Sequence, residues 1–156
     1  MDKDKEKGHN PYVEMIHNFF DENPHLFNKK LIMCGDFNSS SVFDKKHKAK
    51  DNRGKPKDHT HLNEKLNSVG LYSVYHRKSS ENSGEESRYT FFQARHLNVP
   101  FHLDYFYANE KIIEKTVLLH FWKRKLDDNL PNKFKILDKW DWISLSDHLP
   151  IVFEFD

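Results

Sequence analysis

The chain has a single cysteine, Cys34, so no disulfide can form within it. That usage suits a reducing compartment. No apolar run approaches the roughly 20 residues that a membrane-spanning helix needs. Met1 to Lys7 are charged and no apolar stretch follows them, which is not the pattern of a secretory signal. A cytoplasmic protein without a membrane span is the expectation. No internal repeat is visible. A dominant charge of one sign is also missing. The formal net charge is +1, so the overall field argues neither for nor against a nucleic-acid partner.

What is present bounds the fold. A chain of 156 residues is one domain or part of one. With 37% apolar and 31% charged residues it can build a core, on the polar side of the globular range. Thirteen Phe, six Tyr and three Trp place much of that core in aromatic rings. Eleven His are available to make the surface more basic below about pH 6.5. Solvent exposure is the expectation for most of them.

Residues 1–10 read as a charged, mobile leader and residues 11–156 as the folded part. Asn10-Pro11 opens a helix with Val13, Ile16, Phe19 and Phe20 on one face. Asn23-Pro24 closes it. Leu31 to Cys34 is continuous and apolar, so it reads as a fully buried strand with Cys34 as a small core residue. Residues 39–58 form a long loop. Its run Lys45-Lys46-His47-Lys48-Ala49-Lys50 is the densest positive charge in the chain. That run fits a solvated loop or contact with a phosphate backbone. Asp58 or Thr60 caps a helix through about Val69, closed by Gly70. His59-Thr60-His61 fits cap and loop residues or half a metal site.

Leu71 to His76 reads as a strand, and Arg88–Gln93 with Phe101–Tyr107 as a hairpin. Asn109–Glu114 reads as a helical turn, Thr116–Phe121 as a strand, residues 122–139 as irregular, and Leu149–Phe155 as the closing strand.

Three places carry chemistry. Gly35-Asp36-Phe37-Asn38 follows the apolar run. On an extended chain Asp36 and Asn38 point the same way and Phe37 points into the packing; the other reading of the stretch is a strand followed by an Asp/Asn turn. Gly35 permits a bend or a close approach. Asp104 sits in a strand otherwise full of aromatics, where an unpaired carboxylate is costly. Ser146-Asp147-His148 precedes a proline and an apolar strand.

In this order and with these flanks, the three segments resemble the endonuclease/exonuclease/phosphatase superfamily of metal-dependent phosphoesterases. Gly35-Asp36-Phe37-Asn38, Asp104-Tyr105 and Ser146-Asp147-His148 match its motifs, over residues from about 11 to the end. The resemblance implies an α/β fold, the C-terminal half of a four-layer α-β-β-α sandwich. It implies that Asp36 orients or deprotonates the nucleophilic water and contributes to the metal site. Asn38 would bond a phosphate oxygen or a metal-bound water. His148 would contact the scissile phosphate, with Asp104 fixing its tautomer. Asp147 would face the divalent metal, Mg²⁺ or Mn²⁺. The reaction implied is hydrolysis of phosphodiester bonds, with nucleic acid as substrate. A small or lipid phosphate is an alternative within the family.

The family's first half supplies an Asn and a Glu metal ligand, and nothing before Asp36 matches either. The resemblance therefore implies that this chain is inactive alone. It would self-associate or need a complementing N-terminal segment. The competing reading is a non-catalytic fragment that acts as scaffold or binder.

Overall fold

The structure is a computed structural model that describes residues 11–28, 31–51, 53–118, 132–137 and 140–154. The leader, residues 1–10, the end of the expected strand 116–121 and most of the expected irregular stretch 122–139 lie outside the described residues. The chain is mixed α/β, with small sheets and several helices.

Helix α1 (Pro11–Glu22) starts at the expected proline and buries Val13, His17 and Phe20. Strand β1 (Ile32–Asp36) follows. A 3₁₀ segment, Ser41–Lys46, leads through a loop to α2 (His59–Ser68). Asp58 caps α2 by accepting a hydrogen bond from the His61 backbone N–H, and Gly70 beyond it takes φ +78°. Leu62 and Leu66 bury α2 beside α1. Each such side chain contributes about 1.5–3 kcal/mol by leaving water.

Strand β2 is only Leu71–Ser73, and the chain then turns into helix α3 (Val74–Ser79). This corrects the expected strand 71–76. Ser73 Oγ bonds His76 Nδ1 at 2.8 Å, and Val74 and Tyr75 are both buried. Successive buried residues suit a helix on a core better than a half-covered strand. The expected hairpin is present but shorter, β3 (Phe91–Phe92) with β4 (Pro100–Phe101). The chain breaks at His102 and Leu103 and resumes as β5 (Asp104–Asn109). The predicted turn is helix α4 (Glu110–Glu114), followed by β6 (Thr116–Leu118).

Part of the stretch expected to be irregular is a strand, β7 (Asn132–Ile136), and helix α5 (Trp140–Leu145) follows it. The alternation of Lys133-Phe134-Lys135-Ile136 is the signal for β7. Strand β8 (Ile151–Glu154) pairs antiparallel to β7, and β6 pairs parallel to it.

The organising sheet is antiparallel, in the order β1-β5-β2. Alternate residues of β5 feed opposite cores. Tyr105 and Tyr107 join Val13, Phe20, Phe37, Leu62, Leu66 and Leu71 under the helices. Ala108 and the partly buried Phe106 pack with Val74, Ile113, Phe134 and Ile136 on the other side.

Strand β1 corrects the reading of Leu31–Cys34 as fully buried. It is an edge strand, half-covered at Ile32 and Met33, and Cys34 is exposed. Among the described residues only β5 pairs with it. Other exposed large apolar residues include Met15, Phe19 and Leu145. No helix among the described residues is long and apolar enough to cross a membrane.

Candidate functional site

The site lies at the end of the β1–β5 pair. Gly35 has φ +146° with nothing within 4 Å of where a Cβ would stand. The glycine is there for its conformation, not for a close approach. It places Asp36 directly across from Asp104 in the register. Like charges facing each other across strands are destabilising unless something sits between them.

After Asp36 the chain leaves the extended form. Asn38 has φ +47° and folds back on Asp36. Its backbone N–H donates to Asp36 Oδ1 at 2.7 Å, and its Nδ2 donates to Oδ2 at 2.8 Å. Asn38 thus clamps the carboxylate in an Asp/Asn turn after the strand, the geometry of the turn reading and not of the extended one. Phe37 points inward as expected, 4% exposed, against Tyr105 and Tyr107.

The third component arrives from the C-terminal side. Phe92 N–H donates to the Asp147 carbonyl and Leu149 N–H to the Thr90 carbonyl, both at 2.7 Å. These bonds zip residues 147–149 onto β3. The His148 ring packs on Phe91, with centroids 4.7 Å apart. Its Nδ1 is 2.9 Å from Asp104 Oδ2, and its Nε2 is 3.9 Å from Asp36 Oδ2. One oxygen each from Asp36 and Asp104 and one His148 nitrogen lie within 4.8 Å of one another.

The electrostatics follow from this placement. Burial pushes the Asp104 carboxyl up, and hydrogen bonds from His148 and Thr90 pull it back. The bond to Asp104 makes Nδ1 the donor nitrogen of a neutral His148 ring. That leaves the Nε2 lone pair facing a carboxylate oxygen. The arrangement is favourable only with a proton, a water or a cation between them.

Asp36, Asn38, Asp104 and His148 are therefore brought together. Asp147 is adjacent in the chain, but its carboxylate is not among the atoms that converge. The donor set of two carboxylate oxygens and one imidazole nitrogen is compatible with a hard divalent cation, which takes one or two carboxylates and keeps waters.

Two site residues escaped the sequence reading. Thr90, fully buried, accepts the backbone N–H groups of Leu103 and Asp104 on Oγ1, at 2.9 and 3.0 Å. It fixes the chain where β5 begins. Phe91 supplies the floor under His148. In the sequence both look like ordinary strand residues.

A second group corrects the expectation that most histidines are solvated. His17, His59 and His102 are buried. The rings of His59, His76 and His102 surround Tyr105, with centroids 4.8, 6.3 and 4.9 Å away. His59 and His61 are cap and helix residues of α2, not a metal pair. His76 Nε2 bonds Glu86 at 3.0 Å, and His102 Nδ1 donates to the Arg88 carbonyl at 2.8 Å. Nε2 of both His59 and His102 is buried without a hydrogen-bond partner. Burial lowers His59 to about 3 and His102 to about 4. For Glu86 burial acts upward, but bonds from His76 and the Gly84 backbone hold it at about 2.

No family model matches this chain, and no curated protein matches it.

Proposed function

We propose that this chain carries the phosphate-handling half of a divalent-metal-dependent phosphoesterase, with phosphodiester bonds of nucleic acid as the favoured substrate. The observation that supports it most is the convergence of Asp36, Asp104 and His148 from three separate segments. Two opposed carboxylates with an imidazole between them can hold the cation that neutralises a phosphoryl group and can handle one proton.

In this reading Asp36 orients the attacking water and accepts its proton. Asn38 holds the Asp36 carboxylate by both oxygens, so its rotamer is set before substrate arrives. His148, when doubly protonated, donates Nε2–H to a phosphoryl oxygen, and Asp104 holds the ring by accepting Nδ1–H. Asp36 and Asp104 are the residues that would hold Mg²⁺ or Mn²⁺. The ion would supply charge neutralisation on the phosphoryl oxygens. Asp147, in the matched motif, is the remaining candidate ligand.

The finer fold expectation goes with this proposal. The chain would be the C-terminal half of a four-layer α-β-β-α sandwich, completed by an N-terminal segment. The open edge of β1 and its exposed Cys34 support that reading. A small or lipid phosphate stays within it, because the clustered residues address only the phosphoryl group.

One observation favours the second reading, a non-catalytic scaffold or binder. Only two carboxylates gather at the site among the described residues. Hydrolysis of a generic aryl phosphodiester with Mg²⁺, with and without EDTA, tests the choice. Turnover that EDTA abolishes and Mn²⁺ restores supports the enzyme. Turnover indifferent to EDTA removes the metal from the mechanism. Its absence in a chain complemented by an N-terminal segment favours the binder.

A further inference from the structure

Residues 45–57 hold seven cations, Lys45, Lys46, Lys48, Lys50, Arg53, Lys55 and Lys57, against one carboxylate, Asp51. The whole chain nets only +1, so the rest of the molecule is net acidic. A run of like charges ordinarily repels itself into a solvated, unfolded loop. Here it is folded. Lys57 N–H donates to the Ala49 carbonyl and Asp51 N–H to the Lys55 carbonyl, at 2.9 and 2.8 Å. Asp51 Oδ1 accepts the backbone N–H groups of Arg53 and Lys55 at 2.8 and 2.9 Å. The single carboxylate thus closes the turn of a small hairpin. Lys57 Nζ ties the hairpin to Asn18 of α1 at 2.8 Å.

Nearby acids are committed elsewhere. Asp44 receives the backbone N–H groups of His59 and Thr60 at the start of α2, both at 3.0 Å. Glu14 faces His47 at 3.5 Å. Among the described residues no ion pair engages Lys45, Lys46, Lys48, Lys50 or Lys55, and all five are exposed. The fold gathers cations and leaves them unneutralised.

The position of this surface matters as much as its charge. The Ser41–Lys46 segment begins three residues past Asn38 and carries Lys45 and Lys46 at its far end. Six residues at about 2 Å rise span roughly 12 Å, the axial length of about three to four phosphates on one strand of a duplex. Phe43 in this segment packs on Phe101 at 5.0 Å, and Phe101 pairs with Phe91, the residue under His148. Through Phe43 and Phe101, the segment that carries Lys45 and Lys46 is linked to the residue under His148.

We propose that the 45–57 hairpin is a docking surface for the phosphate backbone of a nucleic acid, guiding one strand toward Asp36 and His148. This rests on the phosphodiesterase reading above. The hairpin's only apolar residues are Ala49 and Pro56, so nothing in it can insert into a lipid bilayer. The neighbouring phosphate-directed cluster favours nucleic acid over a membrane surface.

The test is binding of the full chain to a short labelled DNA duplex in EDTA, where hydrolysis does not interfere. The variant combines Lys48→Gln, Lys50→Gln, Arg53→Gln and Lys55→Gln, all at exposed positions, with an unchanged circular dichroism melt as the folding control. A second variant, Lys45→Gln with Lys46→Gln, serves if the first melts early. The slope of log K against log salt between about 50 and 200 mM is expected to flatten by about 3 to 4 for the fourfold variant and about 2 for the double variant. Equal slopes and affinities for wild type and variants would overturn the proposal. So would binding to phosphatidylserine vesicles with none to DNA. Hydrolysis of the small aryl diester separates the two readings. If the variant loses DNA binding and no form complemented by an N-terminal segment cleaves the diester, the docking surface stands and the phosphodiesterase reading falls. If diester cleavage persists and DNA binding is unaltered, the reverse holds.

Discussion

Strand β5 carries two imidazole–carboxylate groupings one residue apart. Asp104 faces His148 and Asp36, whereas Tyr105 points to the opposite side and is ringed by His59, His76 and His102, with Glu86 behind them. The residue types are nearly the same. The exposure is not. His148 and Asp36 side chains are 32% and 31% exposed, while His59 is at 0% and His102 at 2%. In the open grouping, groups that exchange protons with solvent can meet a ligand. In the closed one, burial holds two rings neutral and makes them packing material with a polar edge. Composition alone does not separate a site from a core. Position along the strand does.

The largest expected effect breaks the open grouping. In the chain complemented by an N-terminal segment, Asp36→Asn is predicted to lower phosphodiester turnover by roughly 10²–10⁴-fold, the usual range for a general acid–base role. His148→Ala should fall in the same range. Both residues are partly exposed, so neither change should move the thermal melt by more than a few degrees. Near-wild-type turnover for Asp36→Asn with Mg²⁺ present would remove its role.

The closed grouping should show itself in acid. The folded His59 and His102 lie below their ordinary value near 6.5, so the unfolded chain binds protons first as pH falls. Stability is retained above about pH 6.5 and is lost below it. The loss is about 1.4 kcal/mol per pH unit for each imidazole, levelling near their folded values. Glu86 acts the other way round, because its folded value is depressed. It stabilises above its unfolded value, and that support fades only below about pH 4.5. Urea melts at pH 7 and pH 5 check the order, and His59→Gln should shrink the difference. A stability independent of pH between 7 and 5 would mean that these rings are not held neutral.

A smaller effect joins the two groupings. Burial raises the Asp104 carboxyl, so its charge costs stability in the fold. Asp104→Asn is predicted to leave the melting temperature unchanged or raised while it lowers turnover. A clear drop in melting temperature would make Asp104 a structural residue instead. The smallest effect concerns the strand that carries Asp36. Cys34 is exposed on β1, so a thiol reagent should modify it in the native protein without altering the melt. A segment that completes the β1 edge should protect it.

Much of this was legible in the amino acids. Pro11 and Asn23-Pro24 bracket α1, Asp58 and Gly70 bracket α2, and Phe37 is inward as its alternation implies. Asp104 does have the partner that its aromatic surroundings demand. The failures share a cause. Whether Leu31–Cys34 is central or at an edge depends on which strands lie beside it, and no local pattern records that. The strand-like stretch turns into α3 at Ser73, whose hydroxyl meets His76 Nδ1 one turn on. Thr90 and Phe91 matter because Leu103, Asp104 and residues 147–149 dock on them from farther along the chain. The histidines around Tyr105 gather from α2, α3 and the break before β5, so their spacing in sequence carries no signal.

The central claim is that Asp36, Asp104 and His148 act on one phosphoryl group. It is tested most directly by following the histidine imidazole resonances during titration with Mg²⁺ and inorganic phosphate. The prediction is that His148 shifts when both are present, His59 and His102 do not, and Asp36→Asn abolishes the shift. A His148 signal that ignores phosphate and Mg²⁺, or shifts equally in Asp36→Asn, would contradict the account.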